Sequence, residues 1–160
     1  MLLRLVSSLT ILLLTGCTSL PAFDTSQLDL SLTPENSIDK KHSKLGKHVL
    51  WGGVILATKN LKTDTQIEVL AYPLDSRHVP LKEQNPSGRF IILQAGYLES
   101  ANYAQGRLVT VTGKLGSIMT GNVGETMYNY PVVIPKQLHL WPTDINQSKT
   151  RFHFGIGIGL

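Results

Sequence analysis

The chain has 160 residues, 42% of them hydrophobic and 16% charged, with a formal net charge of +4. A charge this small, with acidic residues interspersed among basic ones, excludes a nucleic-acid surface or a polybasic membrane patch. A lone cysteine excludes a disulfide framework, so one domain of this size has to be held by its core.

The first stretch is the most informative. Arg4 gives a positive start, Leu9-Thr10-Ile11-Leu12-Leu13-Leu14 is a short apolar run, and Thr15-Gly16 lead directly into Cys17. This reads as a secretory signal peptide. Leu2 to Leu14 falls short of the ~20 apolar residues that a spanning helix needs. Small residues running into the only cysteine resemble the lipobox of bacterial lipoproteins. That resemblance implies cleavage between Gly16 and Cys17, a diacylglycerol on the Cys17 sulfur and an acyl chain on the new amine. Residues 1–16 are then the signal peptide and 17–46 a lipid-anchored tether. The bland alternative is a structural cysteine buried in an ordinary N-terminal helix.

Residues 18–46 are rich in Ser, Thr, Asp and Lys and poor in large apolar side chains, the composition of a linker. Within them Thr33-Pro34-Glu35 carries a helix-start signal, with proline at the first helical position, for one or two turns to about Asp39. Lys40-Lys41-His42-Ser43-Lys44 is most simply a solvated face, and it lies close enough to the anchor to touch anionic headgroups.

From His48 the pattern changes to strands. His48–Ala57 is nearly all apolar, and Gly52-Gly53 mark a bulge or sharp coil. Lys62-Thr63-Asp64 supplies a turn before the strand Gln66–Tyr72. A loop with Pro73, Pro80, Pro86 and Gly88 is long enough to be functional or mobile, and Arg89–Gln94 is the next strand. Glu99–Ala104 reads as a short helix closed by Gly106. Arg107–Leu115 alternates most cleanly of all. Gly116, Gly121 and Gly124 read as a turn-rich connection. Tyr128–Ile134 is extended, with Pro131 pointing to an edge position, and Pro135 separates it from a last strand, Gln137–Trp141. The expected fold is all-β: a small OB-like barrel of five or six strands with a short helix, spanning residues 47–142. An open β-sandwich is the alternative.

Taken in order, Val49-Leu50-Trp51-Gly52-Gly53-Val54-Ile55, Glu68-Val69-Leu70, Tyr72-Pro73-Leu74-Asp75 and Gly88-Arg89-Phe90 resemble the Slp (starvation-inducible) outer membrane lipoproteins of Gram-negative bacteria. Gly106–Gly113, Gly124-Glu125, Tyr128, Tyr130–Val133 and Leu138–Pro142 extend the likeness. The resemblance implies an outer membrane location, contact with outer membrane lipid, and a link to starvation or stationary-phase stress. It brings no catalytic residues with it. Thr18 is consistent with outer membrane sorting, since lipoproteins kept at the inner membrane typically carry aspartate there.

Nothing in the chain converges on catalysis. There is no Gly-x-Ser-x-Gly elbow, and His42, His48, His78, His139 and His153 lack metal-ligand spacing. His48 and His139 fall in strands that can meet across a sheet, while Trp51 and Trp141 read as core anchors. The protein is therefore expected to be no enzyme and to need no cofactor beyond its lipid. Arg89, Phe90, Arg107, Tyr128 and Tyr130 form a candidate face for an envelope protein or glycan, the bland alternative being a decorated barrel wall. The tail, 143–160, ends in Phe152, Phe154, Ile156, Ile158 and Leu160 alternating with mostly glycine, the pattern of an edge strand. A frayed terminus is the equal alternative. Oligomeric state is not legible.

Overall fold

The computed structural model describes residues 21–38 and 44–143. The expected signal peptide, Cys17, Lys40–Ser43 and the alternating tail lie outside them. Five strands close into one barrel: β1 (His48–Asn60), β2 (Asp64–Tyr72), β3 (Arg89–Ala95), β4 (Leu108–Val123) and β5 (Thr126–Leu140), in the order β1-β2-β3-β5-β4. Neighbours are antiparallel except β3 and β5, which run parallel over Ile91↔Val132 and Ile92↔Val133. Because β4 returns to β1, the sheet has closed on itself and the open sandwich is excluded.

The alternation that marks the strands also fills the barrel. Along β2, Thr65, Ile67, Val69 and Ala71 point inward while their neighbours stay half-covered. They meet Val49, Trp51 and Ile55 of β1, Phe90 and Ile92 of β3, Val109, Val111 and Leu115 of β4, and Val133 of β5. Each such aliphatic or aromatic side chain contributes about 1.5–3 kcal/mol by leaving water. The bulge in β1 lies at Leu56, where pairing passes from Ile55↔Val69 to Ala57↔Glu68, and not at the glycine pair. Gly53 has a different task. It is paired with Ala71 on one side and Val109 on the other, and a Cβ there would collide with the Leu70 carbonyl oxygen.

Three expected boundaries differ. Glu99–Ala104 forms a single turn in place of a helix: the Asn102 and Tyr103 N–H groups both donate to the Glu99 oxygen, at 3.0 and 3.1 Å. β4 runs through Gly116 and Gly121 without a break, and only Gly124, at φ +59°, makes a turn. Tyr128–Ile134 and Gln137–Leu140 form one strand, since the register shift between Thr112 and Gly113 absorbs the residue after Pro135. The prolines are tolerated where the ladder does not need their missing N–H.

Residues 21–38 are packed on the barrel and are not a free tether. The Thr33 side chain caps the single-turn helix α1 (Pro34–Ser37) by accepting from Asn36 N–H, and Asn36 returns the bond to Thr33 N–H at 2.8 Å. Leu32 enters the main core beside Trp51, whose indole N–H donates to the Leu32 oxygen at 2.7 Å. The Asp29 N–H joins the His48 oxygen at 2.9 Å. This segment covers one end of the barrel, and Leu98 and Tyr103 from the β3–β4 connection cover the end where β1 finishes.

Candidate functional site

The proline-punctuated loop after β2 builds one wall of a cleft. Asp75 organises it: one carboxylate oxygen accepts from the Arg77 and Val79 N–H groups, both at 2.8 Å, and the other pairs with the Arg77 guanidinium at 3.0 Å. Burial works to raise this carboxyl, but the bonds from Val79 and Arg77 outweigh it and hold it below the ordinary value. The turn forces His78 to φ 65°, a conformation uncommon outside glycine. Its carbonyl accepts from the Thr110 hydroxyl at 2.7 Å, and that hydroxyl accepts from the Trp141 indole at 2.9 Å. A β-branched side chain on β4 thus ties the loop to the end of β5.

Between this loop and the docked N-terminal segment lies a cleft of about 380 Å³. Leu30, Leu32 and Pro34 form one wall, Pro73 and Leu74 the other, and Leu50, Trp51 and Gly52 the floor. Thr33, Tyr72, Asp75, His78 and Ser87 supply the polar groups. The size and the mix, mostly apolar with a few polar groups, are those of a small-ligand site. Behind it, Phe23 sits edge-on to His78 at 5.5 Å and to His139 at 6.4 Å, and His139 stands edge-on to Trp141 at 4.4 Å. Burial lowers the His139 pKa.

The expected binding face is only partly assembled. Arg89, Tyr128 and Tyr130 do come together, joined by Glu68, which sequence reasoning missed. Arg89 pairs with Glu68 at 2.8 Å, Tyr130 donates to the same carboxylate at 3.2 Å, and the Tyr128 hydroxyl accepts from the Arg89 N–H at 3.0 Å. The two tyrosine rings lie edge to face at 4.8 Å. The bond to Glu68 raises the Arg89 pKa, and burial, with the Glu68 charge, raises that of Tyr130. Phe90 is elsewhere, fully buried and edge-on to Trp51 at 5.3 Å in the core. Arg107 is a clamp, donating to the Asn102 oxygen at 3.0 Å and the Trp141 oxygen at 2.9 Å. His48 and His139 do not meet, since they pair with Lys114 and Thr110, well apart on β4. Among the described residues no three His, Cys, Asp or Glu side chains converge as a metal site. Gly16 and Cys17 lie outside the described residues.

Three proteins were found by comparison with curated sequences. The chain is 30% identical over 115 residues to the outer membrane protein Slp of Escherichia coli K12, which covers 71% of this chain and 61% of that protein. It is 29% identical over 126 residues to an uncharacterised lipoprotein, YeaY, of the same organism, covering 76% and 63% respectively. A protein of Haemophilus influenzae is 36% identical over 96 residues, which is 59% of this chain and 52% of that one. The chain thus spans less than two thirds of the length of each of these relatives. The sequence model of a family described as outer membrane lipoprotein Slp family matches residues 14–156. No solved structure matches.

Proposed function

Because the chain belongs to the outer membrane lipoprotein Slp family, we propose that it is a non-enzymatic lipoprotein of the Gram-negative outer membrane, cleaved after Gly16 and triacylated on Cys17. One acyl chain binds a membrane only marginally, at ~0.8 kcal/mol per buried CH₂, whereas three hold a protein there. The observation that carries the reading is the family match over residues 14–156, which takes in Cys17; the packing of Phe23 and Leu32 onto the barrel bears on how far the anchor stands from it. The chain from Cys17 to Pro21 reaches at most about 14 Å, so the anchor holds the barrel against the bilayer surface and not at the end of a long tether. The strand order, with β3 and β5 parallel, supports an OB-like barrel in that position. The role is a protective envelope component used in starvation or stationary-phase stress. Changing Cys17→Ala is expected to abolish fatty-acid labelling and release the protein from the outer membrane fraction. Labelling that survives the change refutes the anchor.

The cleft favours a second reading, a binding module for an amphipathic envelope molecule such as a lipid. Its apolar floor suits a hydrocarbon body and its polar rim a headgroup. The Tyr128–Tyr130 wall is the weaker candidate for a glycan, because its hydroxyls are already engaged by Arg89 and Glu68. A lysophospholipid with a brominated chain should quench Trp51 emission in a Trp141→Phe background, and unchanged emission would count against the cleft.

A further inference from the structure

The β4–β5 hairpin outruns the rest of the barrel, and the outer side of its first strand has no partner among the described residues. β4 pairs with β1 as far as Lys114↔His48, and Leu115 then bonds Gly46 and Lys47 through its backbone. There the neighbouring chain turns out of line, with Lys47 N–H returning to the Lys44 oxygen and Gly46 at φ +86°. β4 continues to Val123, held from one side by β5.

The register identifies the leftover atoms. A two-residue turn at Gly124-Glu125 makes Val123↔Thr126 a hydrogen-bonded pair, and bonded and non-bonded pairs alternate from there. Asn122↔Met127, Thr120↔Asn129 and Ile118↔Pro131 fall on the non-bonded positions, where Pro131 loses nothing by lacking an N–H. Ile118, Thr120 and Asn122 therefore aim N–H and C=O away from β5. Natural sheet edges are commonly shielded by lysine, proline or a covering element. From Gly116 to Val123 there is no charge and no proline. Ile118 and Met119 are exposed on this strand, and Met127, paired with Asn122 nearer the hairpin tip, is 78% exposed.

We propose that this edge pairs with the same edge of a second copy of the chain, antiparallel, about a twofold axis at Thr120. In that arrangement Thr120 exchanges both backbone bonds with its counterpart, and Ile118 does so with Asn122 of the second copy. The occupant is a second copy because the edge complements itself: donors and acceptors are symmetric about Thr120, and no like charges are brought together. Anchoring in one bilayer would also concentrate the copies in a plane; that point rests on the anchor reading, and the strand geometry does not.

The test uses the full-length protein in native envelopes. Thr120→Cys with a short thiol crosslinker should give a species of twice the mass, while Ser100→Cys, at the other end of the barrel, should stay at the single mass. In detergent, Thr120→Pro removes a free-side N–H without touching the bonds to β5, and Thr120→Lys adds a charge. Both should turn a wild-type dimer into a monomer with an intact melting transition. A monomeric wild type, or crosslinks from Thr120→Cys to other proteins only, overturns the proposal. Fatty-acid labelling of Cys17 reads the anchor independently, so the two ideas fail separately.

Discussion

Changing Trp51→Phe tests whether the N-terminal segment is part of the folded domain. The indole N–H is the donor to the Leu32 carbonyl at 2.7 Å, in a buried setting. Removing it leaves that oxygen without its partner, which costs about 1–3 kcal/mol. The smaller ring also leaves a gap, worth roughly 1 kcal/mol more. Edge-on contact with Phe90 is retained in part, so the expected loss is about 2–4 kcal/mol. For a domain of this size that lowers the melting temperature by roughly 10 °C. The loss should be local before it is global. Hydrogen exchange at Asp29, which bonds the His48 oxygen, and at Ser37, which bonds the Thr33 oxygen, should accelerate first. Amides in the β2–β3 ladder should keep their protection relative to global unfolding. Unchanged exchange at Asp29 and Ser37, with or without a fall in melting temperature, would refute the claim that Trp51 pins this segment.

Three further outcomes follow from single contacts. Gly53→Ala places a methyl against the Leu70 backbone carbonyl, which cannot step aside, and should cost at least about 3 kcal/mol in urea unfolding; an unchanged midpoint would contradict the close approach. Burial lowers the His139 pKa in the fold, so as the pH falls through the ordinary value the unfolded chain takes up a proton more readily than the folded one. Stability should therefore fall as pH drops from about 7.5 to 5.5, and His139→Gln should flatten that part of the profile relative to wild type. Glu68→Gln should cost about 1 kcal/mol, since the pair with Arg89 is partly open to solvent. The same change should bring the Tyr130 phenol back toward its ordinary value in an ultraviolet titration, because only burial would then hold it up, against the Arg89 charge that lowers it.

Strands with one covered face were legible because their side chains alternate, and β2 is the plainest case. The β4–β5 arm was not, because its glycines look like turns. Gly116 and Gly121 instead sit under cross-strand side chains, where a Cβ would meet Ile134 at 2.9 Å and Tyr130 at 3.2 Å. The N-terminal segment was hidden for a related reason. Phe23, Leu28 and Leu32 are few among polar residues, and their partners, Trp51, Leu50 and Trp141, lie far along the chain. At the candidate face, Arg89 and Phe90 are adjacent in one strand, so alternation alone says that they cannot share a side. Glu68 carried no sign of its link to Arg89 until the β2–β3 register placed the two diagonally across one face. The cleft depends on a loop, a strand end and the N-terminal segment meeting in space, which no local pattern encodes.

Mass spectrometry of the N-terminal peptide from the native protein tests the anchor most directly. The expected product is a chain beginning at Cys17, with a diacylglyceryl thioether and an acylated amine. A free Cys17 thiol preceded by residues 1–16 would contradict it.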